Sequence, residues 1–176
     1  YNLDGMEKDL SNNYSGFLTY KANVYARNQL FAQMDDSLRA KGVERVVKLA
    51  IKNGFTNLVT FEGGYISHEN HAKYMFSSRA MFPIDIHIFY QTTSLCKARE
   101  YKTNMIGGMF LDGTFSDRSA AISGNYIDTH DQSSGSLFFT KSDINEFVLQ
   151  AHKEGYQLSA HCVGDRAVEQ IIDAYE

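Results

Sequence analysis

The stretch Tyr156-Gln157-Leu158-Ser159-Ala160-His161-Cys162-Val163-Gly164-Asp165-Arg166-Ala167 decides the fold. An apolar run follows Gly155, a helix-stop residue, and delivers a histidine into a Gly-Asp-Arg turn. Val168, Ile171, Ile172 and Tyr175 then recur at helical spacing and line one face of a closing helix. Strands that alternate with helices in this way build a parallel α/β sheet. In barrel enzymes of that class, side chains at the C-terminal ends of strands carry the chemistry. His161 occupies such a position, and a neutral imidazole is the commonest protein metal ligand. Two readings follow for it: a metal ligand, or a buried histidine that caps the strand.

The same unit recurs toward the N-terminus. Val43, Val46, Val47 and Ala50 are spaced as on a helix, and Gly54 follows as its stop. Residues 56–61 read as a strand, closed by Glu62-Gly63-Gly64. His68 to Arg79 predicts a helix. Ile84, Ile86 and Ile88 alternate with Asp85 and His87, which predicts a strand over 84–90. Residues 94–103 predict a helix, and 105–111 a glycine-interrupted strand. A polar loop runs from Asp112 to about Phe138. Ile144, Phe147, Val148 and Ala151 then mark a helix that stops at Gly155. Residues 1–31 differ in character: they are polar and aromatic, with Gly5, Asn12, Asn13, Ser15 and Gly16 as turn signals. This stretch reads as the end of another element that feeds into the first helix. Four strand–helix units are too few to close an eight-stranded barrel, which takes about 250 residues. The pattern therefore leaves a small open α/β domain or a piece of a barrel.

Composition bounds the function classes. The 176 residues suffice for a substantial core, and 43% apolar with 22% charged content suits a globular chain. A net charge of −4 gives no basic footprint for nucleic acid. No apolar run reaches membrane-spanning length. The first residue is Tyr1 rather than Met, so the expectation is that the natural N-terminus lies upstream and that a missing leader carries no weight. Cys96 and Cys162 are far apart and form no metal-type cluster, which predicts two free thiols and a reducing, cytoplasmic setting.

Three stretches, in order, resemble the amidohydrolase family 3 enzymes, the metal-dependent C–N hydrolases often called YtcJ-like. Ala160-His161-Cys162-Val163-Gly164-Asp165-Arg166-Ala167 is similar to the family's His-Ala-Ile-Gly-Asp-Arg-Ala. Phe110-Leu111-Asp112-Gly113-Thr114-Phe115-Ser116-Asp117-Arg118-Ser119-Ala120-Ala121 resembles its Asp-Gly-Ser segment followed by Ser-Arg-Thr-Ala-Ala, and Tyr126 and Asp128 continue the pattern. Lys52-Asn53-Gly54-Phe55-Thr56-Asn57 is similar to the Leu-Gly-Ile-Thr-Ser that precedes its second strand. The resemblance runs from about residue 15 to the end and implies a partial (β/α)8 TIM barrel of about four parallel strands with crossover helices. On that reading 32–176 is the central part of the catalytic barrel, roughly strands two to five, and 1–31 is a connector and remnant of an inserted small domain.

The resemblance also implies one or two divalent metals, commonly zinc, and matches His161 to the fifth-strand ligand. The family's other ligands are a His-X-His pair, a further histidine and an aspartate, and none of these has a counterpart in this sequence. Many relatives also carry a bridging lysine four residues before the Asp-Gly pair; here that position is Gly108. Amide hydrolysis needs a strong nucleophile at neutral pH and stabilisation of the tetrahedral intermediate, and a metal provides both. One protein ligand does not hold zinc, since catalytic sites usually offer about three. The expectation is an active parent enzyme that acts on a small amide-type substrate, and an isolated segment that is inactive. The alternative is a non-catalytic or regulatory relative that keeps the barrel and has lost ligands, which Gly108 favours.

The remaining candidates each have a structural reading. Asp112 is a turn residue or a substrate contact, and Asp165 at a helix start is a cap or a catalytic carboxylate. Arg118 holds a substrate carboxylate through its fork or joins a loop ion pair. His87 lies on the polar phase of a strand: a barrel interior would put it near the metal, and the structural reading is a core or interface histidine. His68 and His71 share an i, i+3 spacing that suits a metal but lack a third neighbour, which favours simple exposure. His130, with Asp128 and Asp131, reads as a solvated loop cluster. Unpaired edge strands near 56–61 or 156–161 predict association into a homo-oligomer.

Overall fold

The computed structural model describes residues 5–18, 20–64, 66–127 and 133–176. The chain divides into two compact units, Tyr1–Ile88 and Phe89–Glu176. In the first unit, β1 (Met6–Lys8) and β2 (Tyr14–Leu18) form an antiparallel hairpin. Asp9 closes its turn by accepting hydrogen bonds from Ser11 and Asn13 N–H groups, each at 2.9 Å. Helix α1 (Tyr20–Ala32) follows where the sequence offered only turn signals and a connector.

Helix α2 (Asp36–Lys52) starts at Asp35, whose carboxylate accepts from Leu38 N at 2.7 Å. It ends before Gly54, the predicted stop. Val47 and Ala50 are buried as its spacing predicts, whereas Val46 stays 58% exposed. Strand β3 (Asn57–Glu62), α3 (Glu69–Ser78), a short 3-10 turn (Arg79–Met81) and β4 (Asp85–Tyr90) complete this part. Val47, Met75, Ile86 and Ile88 make its core. Ile86 and Ile88 point inward and Asp85 and His87 outward, as the alternation predicts. Phe89 and Tyr90 are then both buried, so the period of two ends inside the strand.

In the second unit, α4 (Leu95–Glu100) is shorter than the predicted 94–103, because Lys102 enters the left-handed region at φ 49°. Next come β5 (Met105–Phe110), a long loop, α5 (Lys141–Lys153), β6 (Gln157–His161) and α6 (Asp165–Tyr175). The four-stranded sheet has the order β3-β4-β5-β6. Tyr90 pairs with Ile106 in parallel, and β5 pairs with β6 in parallel from Met105↔Gln157 to Phe110↔His161. The register slips between Gly107 and Met109, which makes Gly108 the extra residue of a bulge. Gly107 (φ 127°) lies so close to β6 that a Cβ would collide with the Ser159 backbone.

Leu111, Ile144, Val148, Ala167 and Ile171 form this unit's core. The four α5 positions singled out by spacing are all buried. In α6 the expectation needs correction: Ile171 is buried, but Val168, Ile172 and Tyr175 are exposed, and Ala167 and Gln170 take their place inside. Gln170 is held there by donating to the Phe139 carbonyl at 2.9 Å.

Candidate functional site

The segment after β5 has no helix or strand among its described residues, yet it is tightly pinned. Phe138 N–H donates to Leu111 O at 2.8 Å, and Ile122 N–H to Ser134 O at 2.9 Å. Ala120 and Ala121 are fully buried. The centre of this corner is Asp112, 1% exposed. One of its oxygens accepts from Ala121 N at 2.9 Å and Gly164 N at 2.7 Å, and the other from Val163 N at 2.9 Å. A single carboxylate thereby ties the loop to the β6–α6 turn. It also places negative charge at the α6 N-terminus, where backbone N–H groups favour it.

Gly164 is the α6 N-cap and has no side chain with which to cap. It is required there by space, because a Cβ would run into the Ala121 carbonyl. That carbonyl accepts from Arg166 N at 3.1 Å. Asp165, the first helical residue, accepts from Ser123 N at 2.9 Å and from the Ser123 hydroxyl. These bonds, the hydroxyl's first, hold the Asp165 carboxyl below its usual range.

Asp117 is knit into the same loop. Burial pushes its carboxyl up, but hydrogen bonds from the Ser119 and Thr114 hydroxyls and from backbone N–H groups outweigh that and bring it down. Arg118 sits at φ 58°, is exposed, and donates to the Ser116 carbonyl at 3.1 Å.

His161 ends β6 with an exposed side chain, and its ring meets Phe110 edge-on at 4.8 Å between centroids. Its carbonyl accepts from Leu111 N at 3.0 Å, which fixes the backbone beneath the ring. In this structure the ring is thus exposed rather than buried. Among the described residues no three His, Cys, Asp or Glu side chains converge as a metal site. Asp112, the carboxylate on the adjoining strand end, is committed to three N–H groups. The described residues therefore do not fit a metal by themselves. Gly108, which the resemblance sets against a bridging lysine, is buried in the bulge at φ 67°, and its carbonyl accepts from the buried Gln91 amide at 2.6 Å. Cys96 and Cys162 are free thiols. Burial, and then the charge of Asp112, push the Cys162 thiol up to about 11.

The other histidines separate. His68 caps α3 by accepting from Asn70 N at 3.1 Å, whereas His71 turns to Glu62, with 3.5 Å between Nε2 and the carboxylate. The pair thus does not converge on one point. His87 is exposed and lies 3.3 Å from the Asn57 side-chain oxygen. Asp128, His130 and Asp131 lie outside the described residues. Sequence reasoning passed over Glu62, which is buried at the end of β3. The signal was present: a carboxyl at the end of a strand-forming stretch and before two glycines.

No helix among the described residues is long and apolar enough to cross a membrane. No family model matches the chain. It is 26% identical over 161 residues to the Arabidopsis thaliana protein LONG AFTER FAR-RED 3, covering 78% of this chain and 27% of that protein. Its fold is similar to that of an uncharacterized metal-dependent hydrolase from Pyrococcus furiosus, with a TM-score of 0.75 at 19% identity. A second, from Pyrococcus horikoshii OT3, gives 0.74 at 15%. Both matches cover 99% of this chain but only 38% and 37% of the hydrolases, so the chain spans well under half the length of the proteins it resembles.

Proposed function

We propose that this chain is part of a metal-dependent hydrolase that acts on a non-peptide C–N bond of a small amide-type substrate. In this reading residues 32–176 are a section of a (β/α)8 barrel and residues 1–31 a connector from a smaller inserted domain. The observation that carries it is the match of the whole fold to two metal-dependent hydrolases, with His161 exposed at the C-terminal end of a parallel strand. The ordered motifs around Asp112 and His161 narrow the class to amidohydrolases of family 3.

His161 is the candidate ligand of a divalent metal, zinc by family preference. Zinc sites take about three protein ligands, so in this reading the others come from the rest of the protein. The contribution of this chain is positional. Phe110 and the Leu111 N–H fix His161, and Asp112 locks the turn that follows it. Arg118 is the candidate contact for a substrate carboxylate. The second reading is a barrel relative without hydrolytic activity, suggested by Gly108 at the position that the resemblance sets against a bridging lysine. For the isolated segment, pairing of its unpaired sheet edges between copies is expected, tested by light scattering.

Metal content and amide hydrolysis of the full-length His161→Ala protein test the assignment. Loss of both supports a metal-ligating His161. Unchanged metal stoichiometry and turnover overturn it, and a wild type that carries metal but cleaves no amide, carbamate or formamide favours the non-catalytic relative.

A further inference from the structure

The extra residue in β5 decides which side chain stands beside His161. Before it, Ile106 pairs with Leu158 and Gly107 with Ser159; after it, Met109 pairs with Ala160 and Phe110 with His161. Residues in register on neighbouring parallel strands project from the same face, and a slip of one residue exchanges the faces. Counted on from Gly107 without the insertion, Met109 would stand against His161 and Phe110 would pass on to Cys162. The insertion instead sets the Phe110 ring edge-on to the imidazole, 4.8 Å between centroids. The Leu111 N–H then falls on the His161 carbonyl at 3.0 Å.

Glycine at 108 permits the bulge, because its φ of 67° is left-handed. Permission alone does not hold it. A bulge leaves its extra residue outside the strand ladder, and a buried carbonyl there needs a donor from elsewhere. Gln91 supplies one. It directly follows β4, the strand on the other side of β5, and is 4% exposed. Its amide donates to the Gly108 carbonyl at 2.6 Å. Three neighbouring strands thus meet at one end of the sheet: β4 delivers the amide, β5 the bulge and β6 the histidine. We propose that Gln91 is a positioning residue for His161. By holding the Gly108 carbonyl it keeps the extra residue in β5, and with it the Phe110 ring that orients the imidazole. Bulges beside active sites re-aim side chains in this way, and groups behind a metal ligand set its orientation. The consequence for metal binding rests on the reading of His161 as a ligand, whereas the placement of the ring does not.

The test is NMR of the full-length protein carrying isotope-labelled histidine, freed of metal and then titrated with zinc alone. His161→Ala identifies the His161 ring signal, and Phe110→Leu gives its position without the neighbouring ring. Gln91→Met keeps the side-chain length and removes the donor. It should move the signal at least half of the way to the Phe110→Leu position and weaken zinc binding about tenfold or more. Gln170→Met is the control, because that buried amide also donates to a backbone carbonyl, at Phe139. It should leave the His161 signal and the zinc affinity at their wild-type values even where it lowers stability. Should Gln91→Met fail to fold, Gln91→Asn decides, since it retains an amide that ends one methylene short of Gly108. Three results would overturn the proposal: an unmoved His161 signal in the Gln91 variant, an equal shift in Gln170→Met, or unchanged zinc affinity in the Gln91 variant where His161→Ala loses zinc. Equal zinc binding by wild type and His161→Ala, with the ring still displaced in the Gln91 variant, refutes the ligand reading and leaves the ring placement standing.

Discussion

Replacing Asp112 by asparagine keeps shape and volume and removes one acceptor oxygen. Three N–H groups converge on the carboxylate, two on one oxygen and one on the other. The least costly arrangement keeps the amide carbonyl on Ala121 and Gly164. Those two bonds then fall from charge-assisted to neutral, a loss of about 1 kcal/mol each. The amide NH₂ faces the Val163 N–H, so that donor loses its partner, at about 1–3 kcal/mol. Relief from burying a charge offsets part of this, which leaves a net destabilisation of about 2–4 kcal/mol. For a chain of this size that corresponds to roughly 5–15 °C in melting temperature.

Urea unfolding gives the free energy, and amide hydrogen exchange at Ala121, Val163 and Gly164 localises it. The alternative role for Asp112, substrate contact, makes the opposite prediction. There the variant would unfold at the wild-type urea concentration and change KM in the full-length enzyme. A stability change under about 0.5 kcal/mol, with protection at the three amides intact, would refute the clamp, because that is the scatter of ordinary surface substitutions.

Gly164→Ala should cost about 1–3 kcal/mol in the same urea titration, because its methyl must displace the Ala121 carbonyl. Cys96 should react with a thiol reagent at pH 8 while Cys162 lags, since Cys96 is exposed and the Cys162 thiol is held up to about 11. An unfolded thiol ionises near 9.0, so between that value and about 11 the folded state holds the extra proton; stability should fall as pH rises through this window, and Cys162→Ala should flatten the fall. Asp165 is shifted the other way: its stabilising effect is present above the ordinary carboxylate range and is lost as pH falls through its lowered folded value. Ser123→Ala should return the Asp165 titration, followed by NMR, toward the ordinary range.

Strand order and direction were legible because each strand carries its own local signal and each crossover its own helix period. Helix α1 was not legible, because its apolar residues share no face and Ala22 is the buried one among its described side chains. The α6 stripe shows a different limit. Spacing put Val168, Ile171, Ile172 and Tyr175 on one face, but of these Ile171 alone packs inside, beside Ala167 and Gln170, which spacing did not single out. Asp112 could be read as a turn residue or a ligand contact and nothing finer. Two of its partners, Val163 and Gly164, lie 51 and 52 residues away, beyond any local pattern. At Gly108 the resemblance marks only the absence of a lysine, and the bulge that it forms is visible only in the register against β6.

The polar groups of this corner divide by what they already hold. Asp112, Asp117 and Asp165 all accept hydrogen bonds from the loop and turn they stabilise, so their oxygens serve construction. His161 differs: its ring is exposed, and the contact recorded for it is the edge of Phe110. An aromatic pair of this kind is worth about 0.5–1.5 kcal/mol, and less at an exposed position. His161→Ala should therefore change urea stability by less than about 1 kcal/mol, against about 2–4 kcal/mol for Asp112→Asn. A loss above about 2 kcal/mol would make His161 a structural strand-end residue. A small loss combined with depleted metal in the full-length protein would separate the two roles along one strand-to-helix turn: Asp112 builds it, and His161 uses it.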